Sequence, residues 1–228
     1  MKLSVVIPVY NEKNTIKDIV SQVKNVSGIE KELILVDDGS KDGTRDILKQ
    51  MESEMPDLKI IYKDQNRGKG HSLKMGFQAS TGEYVIVQDA DLEYDPNDYK
   101  KLIEALNGDD ADVVYGSRFS GDYSNMYNLH FFGNKLLTLI TVMLYGVYLT
   151  DMETCYKLLP GDFARKVNIV SDRFDFEPEI TAKIIKAGLK IKEVPIKYTG
   201  RKFSEGKKIT WKDGISAIKA LFKFRFFS

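Results

Sequence analysis

The sequence predicts an α/β protein built on a mostly parallel central sheet flanked by helices. Apolar runs rich in Val and Ile alternate with segments of helical periodicity at short spacing as far as residue 118, which is the pattern of βαβ units. Each run stops abruptly in a polar cluster, as strands do where they leave a sheet. With 43% hydrophobic and 29% charged residues over 228 positions, the chain has ordinary globular usage and enough material for a sizeable core, which excludes a disordered chain. No internal repeat or low-complexity linker divides it, so a single domain is expected over residues 1–228.

Residues 2–10 read as a first buried strand with Pro8 at its exit. Asn14 and Thr15 are placed to cap a helix running to about Val26, with Ile16, Ile19, Val20 and Val23 on one face. Residues 32–36 form a second strand ending in Asp37-Asp38-Gly39-Ser40. Asp42-Gly43-Thr44 then opens a helix that turns Ile47, Leu48 and Met51 inward. Residues 58–62 are a third strand, and the polar, glycine-rich loop 66–71 opens a helix to Ala79. A fourth strand, 83–88, runs straight into Asp89-Ala90-Asp91-Leu92-Glu93. Asp95-Pro96 begins a helix ending near Asn107-Gly108, and residues 112–116 form a strand that delivers Ser117 and Arg118.

The second half is less regular. Residues 120–135 are polar and aromatic, 136–149 form an apolar helix, and 150–154 make a polar turn carrying Asp151 and Glu153. Residues 160–167 and 176–186 read as helices, the latter closed by Gly188. Pro195 makes 193–198 an edge strand. Residues 199–208 are a flexible basic loop of the kind that closes over an anionic substrate. A last helix, 211–227, sets Ile215, Ile218, Leu221 and Phe222 on one side with Lys219, Lys223 and Arg225 interleaved, suited to a membrane surface or to packing on the domain.

The net charge of +1 conceals an asymmetry: from Lys183 onward there are 13 Lys and Arg against 3 Asp and Glu. A basic arm behind an acidic body calls for an anionic partner: phosphate, acidic lipid or nucleic acid. Cys155 is the lone cysteine, so neither a disulfide framework nor a cysteine metal site is expected. The first ten residues lack a secretory pattern, and the longest apolar tract, 136–149, is shorter than the roughly 20 residues that span a bilayer. A reducing cytoplasm fits these features.

Ligands of open α/β sheets bind beyond the carboxyl ends of the strands. The clusters at 8–12, 37–40 and 89–91 all stand at such ends and should converge on one rim. Asp89 and Asp91, two residues apart, project the same way on an extended backbone. Two hard oxygen donors suit Mg²⁺ or Mn²⁺ when substrate phosphates complete the shell. The bland alternative, an Asx turn, is weakened by the joint arrival of three polar clusters. Arg118 either offers its planar fork to a phosphate or pairs with a rim carboxylate.

In combination, PVYNE (8–12), DDGS (37–40), NRGKG (66–70), DADLE (89–93) and GSR (116–118) resemble glycosyltransferase family 2, inverting enzymes of the GT-A fold. Within it they look most like the polyprenyl- and dolichyl-phosphate sugar synthases. Asp151 in LTDMETCYK, the FDFEPEI helix start, EVPIKY and GRKFSEGKK extend the likeness from Leu3 to about Lys212. The resemblance implies a nucleotide-sugar-binding half (1–118), an acceptor-side half (119–210) and an amphipathic C-terminal helix (211–228). Pro8, Tyr10 and Glu12 would line the nucleoside pocket, with Val36 and Asp38 beside the base and ribose. Asp89, Ala90 and Asp91 would hold the donor diphosphate through the metal, for which Asp89, Asp91 and Glu93 are the implied ligands. Glu93 stands where related synthases often carry Gln, which makes the empty site more anionic. Arg118, Arg201 and Lys207 would hold the acceptor phosphate and the leaving diphosphate; Asp91, Arg118 and Arg201 are the residues expected to carry catalysis.

The implied reaction is inverting, metal-dependent transfer of a hexose from a GDP-mannose- or UDP-glucose-type donor to a polyprenyl (dolichyl or undecaprenyl) phosphate. It would take place in peripheral contact with the inner, cytoplasmic face of the membrane, without nucleic acid. A lipid phosphate is ionised near neutral pH and needs no strong base, so His71 and His130 read as structural. A glycan or protein acceptor is the alternative inside the family. A nucleotidyltransferase would carry a glycine- and arginine-rich loop where Val9-Tyr10-Asn11-Glu12 stands, and a non-catalytic binding module has no need of the Asp-Ala-Asp stretch together with Arg118.

Overall fold

A computed structural model describes residues 1–108, 111–124, 128–201 and 211–227. The strands β1 (Lys2–Val9), β2 (Glu30–Asp37), β3 (Leu58–Tyr62), β4 (Tyr84–Val87), β5 (Val113–Ser117), β7 (Lys157–Pro160) and β8 (Ile191–Pro195) form one sheet in the order β3-β2-β1-β4-β7-β5-β8. All neighbours are parallel except β7, which runs antiparallel to both β4 and β5. Two short strands, β6 (Tyr123–Ser124) and β9 (Tyr198–Thr199), pair separately. Helices α1 (Ile16–Asn25), α2 (Thr44–Glu54), α3 (Lys69–Ala79), α4 (Tyr99–Gly108), α5 (Asn128–Tyr145), α6 (Gly161–Lys166), α7 (Phe176–Lys186) and α8 (Trp211–Phe226) complete the fold.

The expected alternation is present through β5, and its physical basis is burial. Ile16, Ile19, Val20 and Val23 of α1 are essentially unexposed, as are Val5, Val6, Ile7, Leu35, Val36, Val85 and Ile86 of the central strands. Each such side chain contributes about 1.5–3 kcal/mol of transfer free energy. Thr15 precedes α1 but its hydroxyl does not cap the helix; instead the Glu12 carbonyl accepts from Thr15 N (3.1 Å) and Ile16 N (3.0 Å).

Three elements depart from expectation. Strand β7 lies where only a turn and a helix were foreseen. Helix α5 begins before residue 136 and ends at Tyr145, because Gly146 takes φ +70°, a helix-stopping left-handed geometry. Strand β8 starts at Ile191 and lies at the sheet edge, as Pro195 required. Helix α5 is neither wholly buried nor wholly exposed: Leu137, Thr138 and Thr141 are covered, while Phe132 (68%), Leu136 (52%), Leu139 (52%) and Met143 (67%) face outward. Its inner face meets α8, where Leu137, Met152, Ala217 and Leu221 form a small second core and Tyr145 Oη donates to Leu221 O (2.9 Å). Among the described residues no helix is long and apolar enough to cross a membrane.

Strand order places the site. The chain moves from β1 outward through β2 and β3, then returns to add β4 on the other side of β1. The loops after β1 and β4 therefore diverge, leaving a crevice at the carboxyl ends of these strands.

Candidate functional site

The crevice is a cleft of about 890 Å³, bordered by Pro8, Tyr10, Glu12, Asp38, Asp89, Ala90, Asp91, Glu93, Arg118 and Arg201. Ten of the residues singled out from sequence thus meet at one place. Val36 does not: it is fully buried in the main core, one residue short of the rim. Lys207 lies outside the described residues.

Hydrogen bonds tie the rim loops together. Asn11 N donates to Ser40 Oγ (2.9 Å), Glu12 N to Thr44 Oγ1 (2.9 Å) and Ser40 N to Asp37 Oδ1 (3.1 Å). Asp38 organises the glycine-rich loop: its carboxylate accepts from Asn66 Nδ2 (3.0 Å), Arg67 N (2.9 Å), Gly68 N (2.7 Å) and the Lys63 ammonium. That loop needs glycine on steric grounds, since a Cβ at Gly70 would stand 2.1 Å from Ser171 O.

After β4 the backbone turns sharply. Leu92 adopts φ +63°, an outlier for a bulky side chain, and Asp91 Oδ1 accepts from Glu93 N (3.2 Å). The Asx turn weighed as the bland alternative is therefore present, and it coexists with an acidic rim. Asp89 meets Lys69 Nζ (2.8 Å), which also lies 3.3 Å from Glu177 Oε1. Asp91 meets Arg201 Nη2 (3.0 Å), whose Nη1 reaches Glu12 (3.2 Å). Glu93 is engaged on both oxygens: Oε1 accepts from Arg201 N (2.7 Å) and Oε2 from Tyr198 Oη (2.7 Å). Among the described residues no three His, Cys, Asp or Glu side chains converge as a metal-holding group. Asp89 and Asp91 each hold one cation, Lys69 and Arg201 respectively.

The electrostatics of this pair favour an added cation. Burial opposes ionisation of Asp89, yet Lys69 holds it below the usual carboxylate range. Burial, Asp89 and then Glu93 push Asp91 up to about 7, with Arg201 only partly compensating. With Glu12 and Glu93 sharing Arg201, four acids stand around only two cations, Lys69 and Arg201. Hard oxygen donors with uncompensated charge fit a divalent ion of the Mg²⁺ or Mn²⁺ type.

Arg118 borders the same cleft, and of the two sequence alternatives the salt bridge is the one formed. Its Nε and Nη2 donate to the two oxygens of fully buried Asp151 (2.7 Å each), with its backbone N adding a third bond (2.9 Å). The guanidinium also lies 5.5 Å and 5.4 Å from the ring centres of Phe119 and Tyr198. Asp151 is itself set by Glu193, which accepts from Thr150 N (2.7 Å) and Asp151 N (3.0 Å).

Several lining residues were not singled out from sequence. Lys69 belongs to the quoted NRGKG stretch, but nothing local marks its partner as Asp89. Glu153 and Glu177 also border the cleft, Glu177 being buried and bonded to the buried Lys157 ammonium. Burial, then Glu177, pushes the Glu153 carboxyl up to about 8. The folded protein therefore binds this proton more tightly than the unfolded chain. Between pH 4.5 and 8 folding stability should fall as pH rises, by an amount on the order of a few kcal/mol. Glu153→Gln should relieve this, raising Tm by several degrees at pH 8.5 in EDTA and converging with the parent near pH 4.5. Parallel Tm–pH curves for the two proteins would show the assignment to be wrong.

The glycosyl transferase family 2 model matches residues 4–145 of the chain. A dolichol-phosphate mannosyltransferase of Pyrococcus furiosus is 31% identical over 91% of this chain, which spans 59% of that protein. A UDP-N-acetylglucosamine–dolichyl-phosphate N-acetylglucosaminyltransferase of Methanococcus voltae is 29% identical over 88% of both chains. Among solved structures, glucosyl-3-phosphoglycerate synthase of Mycobacterium tuberculosis, crystallised with Mn²⁺, UDP and glucosyl-3-phosphoglycerate, superposes with a TM-score of 0.74 at 19% identity, covering 98% of this chain and 79% of that one.

Proposed function

Since the chain belongs to glycosyltransferase family 2, an enzyme family acting on nucleotide-sugar donors, we propose that it transfers a hexose-type sugar to a polyprenyl phosphate with inversion. Its sheet and flanking helices are the GT-A fold. The observation that carries the proposal is the charge pattern of the cleft: Glu12, Asp89, Asp91 and Glu93 outnumber Lys69 and Arg201, and Arg118, held rigidly by Asp151, borders the same space. The names of the two relatives differ in the sugar moved and agree on dolichyl phosphate, which supports the acceptor class more than any one donor.

Asp91 and Asp89 would hold Mg²⁺ or Mn²⁺, which would supply positive charge to the leaving diphosphate. Pro8, Tyr10, Glu12 and Asp38 border the side of the cleft that would take the nucleoside. Arg118, fixed by Asp151, would receive the acceptor phosphate, and Arg201 would move from the acids to the phosphates once those are bound. A phosphate oxygen, ionised near neutral pH, attacks the anomeric carbon opposite the departing diphosphate. No basic side chain is needed for that step. Lys207 is assigned to the same anionic substrates on the strength of the family likeness alone.

The outer faces of α5 and α8 support membrane contact. Phe132, Leu136, Leu139 and Met143 recur at helical spacing, as do Ile215, Phe222 and Phe226. The same two helices wall the cleft through Gly133, Asn134, Leu137, Asp213, Gly214 and Ala217. A bilayer touching these stripes would present a lipid headgroup beside the cleft, on the cytoplasmic face in this reading. Leu136→Asp/Phe222→Asp should keep the fold, since both positions are exposed, and reduce co-sedimentation with anionic liposomes at least tenfold. Turnover of a short polyprenyl phosphate in detergent should survive; unchanged sedimentation would remove the membrane assignment.

The direct test is a panel of GDP-mannose, UDP-glucose and UDP-N-acetylglucosamine with Mn²⁺ or Mg²⁺ and a short polyprenyl phosphate. Lipid-linked sugar formed from one donor and abolished by EDTA is the expected result. Nucleoside diphosphate release without a lipid product would replace the lipid by a glycan, protein or soluble phosphate acceptor.

A further inference from the structure

Two carboxyl oxygens beside the cleft, Glu153 Oε1 and Glu177 Oε1, are shut away from solvent and accept no hydrogen bond from the described residues. Lys69 Nζ, 3.3 Å from Glu177 Oε1, is not oriented to bond it. Both side chains border the cleft. Buried polar atoms are satisfied in nearly all native structures, so two orphans in one cleft point to a polar ligand.

Their position narrows the ligand. Glu177 adjoins Lys69, which holds Asp89, and so lies toward the acid pair assigned to the diphosphate. Glu153 follows Asp151, the residue that fixes Arg118, and interacts with the charges of Glu177 and Arg118. The two orphans thus lie between Lys69 and Asp89, assigned to the leaving diphosphate, and Arg118, assigned to the acceptor. Any sugar being passed between those phosphates must lie there. We propose that Glu153, with Glu177 beside it, forms the subsite for the donor's sugar ring and reads its hydroxyl groups.

The chemistry suits a neutral polyhydroxylated ring rather than another phosphate. Burial and the neighbouring Glu177 keep Glu153 protonated near neutral pH, so it offers one donor and one acceptor, matching two adjacent hydroxyls. Glu177, held by Lys157, offers an acceptor to a hydroxyl proton. A site with buried hydrogen-bonding groups discriminates strongly, because a ligand lacking the matching hydroxyl leaves them unsatisfied. Glu153 is therefore a specificity residue that touches the sugar and takes no part in moving its proton.

This inference rests on the nucleotide-sugar reading, and the test separates the two. Binding of UDP-glucose, UDP-N-acetylglucosamine, GDP-mannose, UDP and GDP would be measured calorimetrically with Mn²⁺ for the parent, Glu153→Gln and Glu153→Leu. For the donor the parent prefers, Glu153→Leu should bind the sugar nucleotide at least tenfold more weakly while its affinity for the matching nucleoside diphosphate stays within twofold. Glu153→Gln, which keeps a donor and an acceptor, should retain sugar-nucleotide affinity within about threefold. A merely structural role would shift both ligands together. If both ligands weaken equally, or neither changes, the subsite assignment falls while the transferase reading stands. If the parent binds neither sugar nucleotides nor nucleoside diphosphates, both fall.

Discussion

Asp91→Asn should lower sugar transfer roughly a hundred- to a thousandfold, the scale on which loss of one preorganised charge-stabilising group acts. Of the two acids in the Asp-Ala-Asp stretch, Asp91 is the one whose charge is less compensated: burial, Asp89 and Glu93 act against its ionisation, and Arg201 is the opposing cation at 3.0 Å. An amide keeps the shape and removes the charge that would attract a divalent ion. Arg201 retains Glu12 and Glu93 as partners, so the rim should keep its form. Because the ionised carboxyl is disfavoured in the folded, metal-free protein, the Asn variant should melt at or slightly above the parent temperature near pH 8. That stability reading separates loss of chemistry from loss of fold. The check combines initial rates with Mn²⁺ titration in the presence of nucleoside diphosphate. Full turnover with undiminished Mn²⁺ binding would remove Asp91 from the proposed metal set.

What could be read from the linear chain, and what could not, follows from the range of the interactions involved. Strands β1 to β4 announce themselves because each is a continuous apolar run closed by polar residues, a signal contained within ten positions. The convergence of residues 8–12, 38 and 89–93 then follows from parallel strand topology alone. Strand β7 was illegible because it is four residues long and opens with a lysine. Lys157 is buried because Glu177, on α7, supplies its counter-charge and the Met152 and Thr154 carbonyls accept from its ammonium. Val36 was set beside the base and ribose by the family likeness, and no feature local to a strand buried on both faces marks it as a core position. Glu93 illustrates the same limit at the site. The sequence shows a third acid, but Tyr198 and Arg201, about a hundred residues later, decide that both its oxygens are occupied. Glu153 stood in plain view as one of two acids in a polar turn. Its interest lies in an unsatisfied oxygen, which is a property of packing and has no local sequence mark.

Asp151→Asn should destabilise the protein by about 3–5 kcal/mol, the usual cost of stranding one partner of a buried ion pair. Asp151 is unexposed and accepts three bonds from Arg118, two of them in the forked geometry that Arg and carboxylate form best. An amide can accept on one side only, and its NH₂ group would face a guanidinium with no acceptor to offer. Arg118, itself 6% exposed, would remain charged without a counter-charge in a buried setting. For a domain of this size the loss corresponds to a Tm decrease of roughly 6–20 °C. Activity should fall further than stability explains, because the fork that would meet the acceptor phosphate is aimed by Asp151. The two effects separate at a temperature where the variant is still folded. There, KM for the acceptor should rise at least tenfold while KM for the sugar nucleotide stays near the parent value, since Asp89 and Asp91 are held by Lys69 and Arg201 and not by Arg118. Arg118→Lys provides the complementary test: it preserves charge, loses the fork, and should show the same selective loss toward the acceptor. If both variants instead weaken donor and acceptor alike, Arg118 is a structural element of the wall and the acceptor phosphate binds elsewhere.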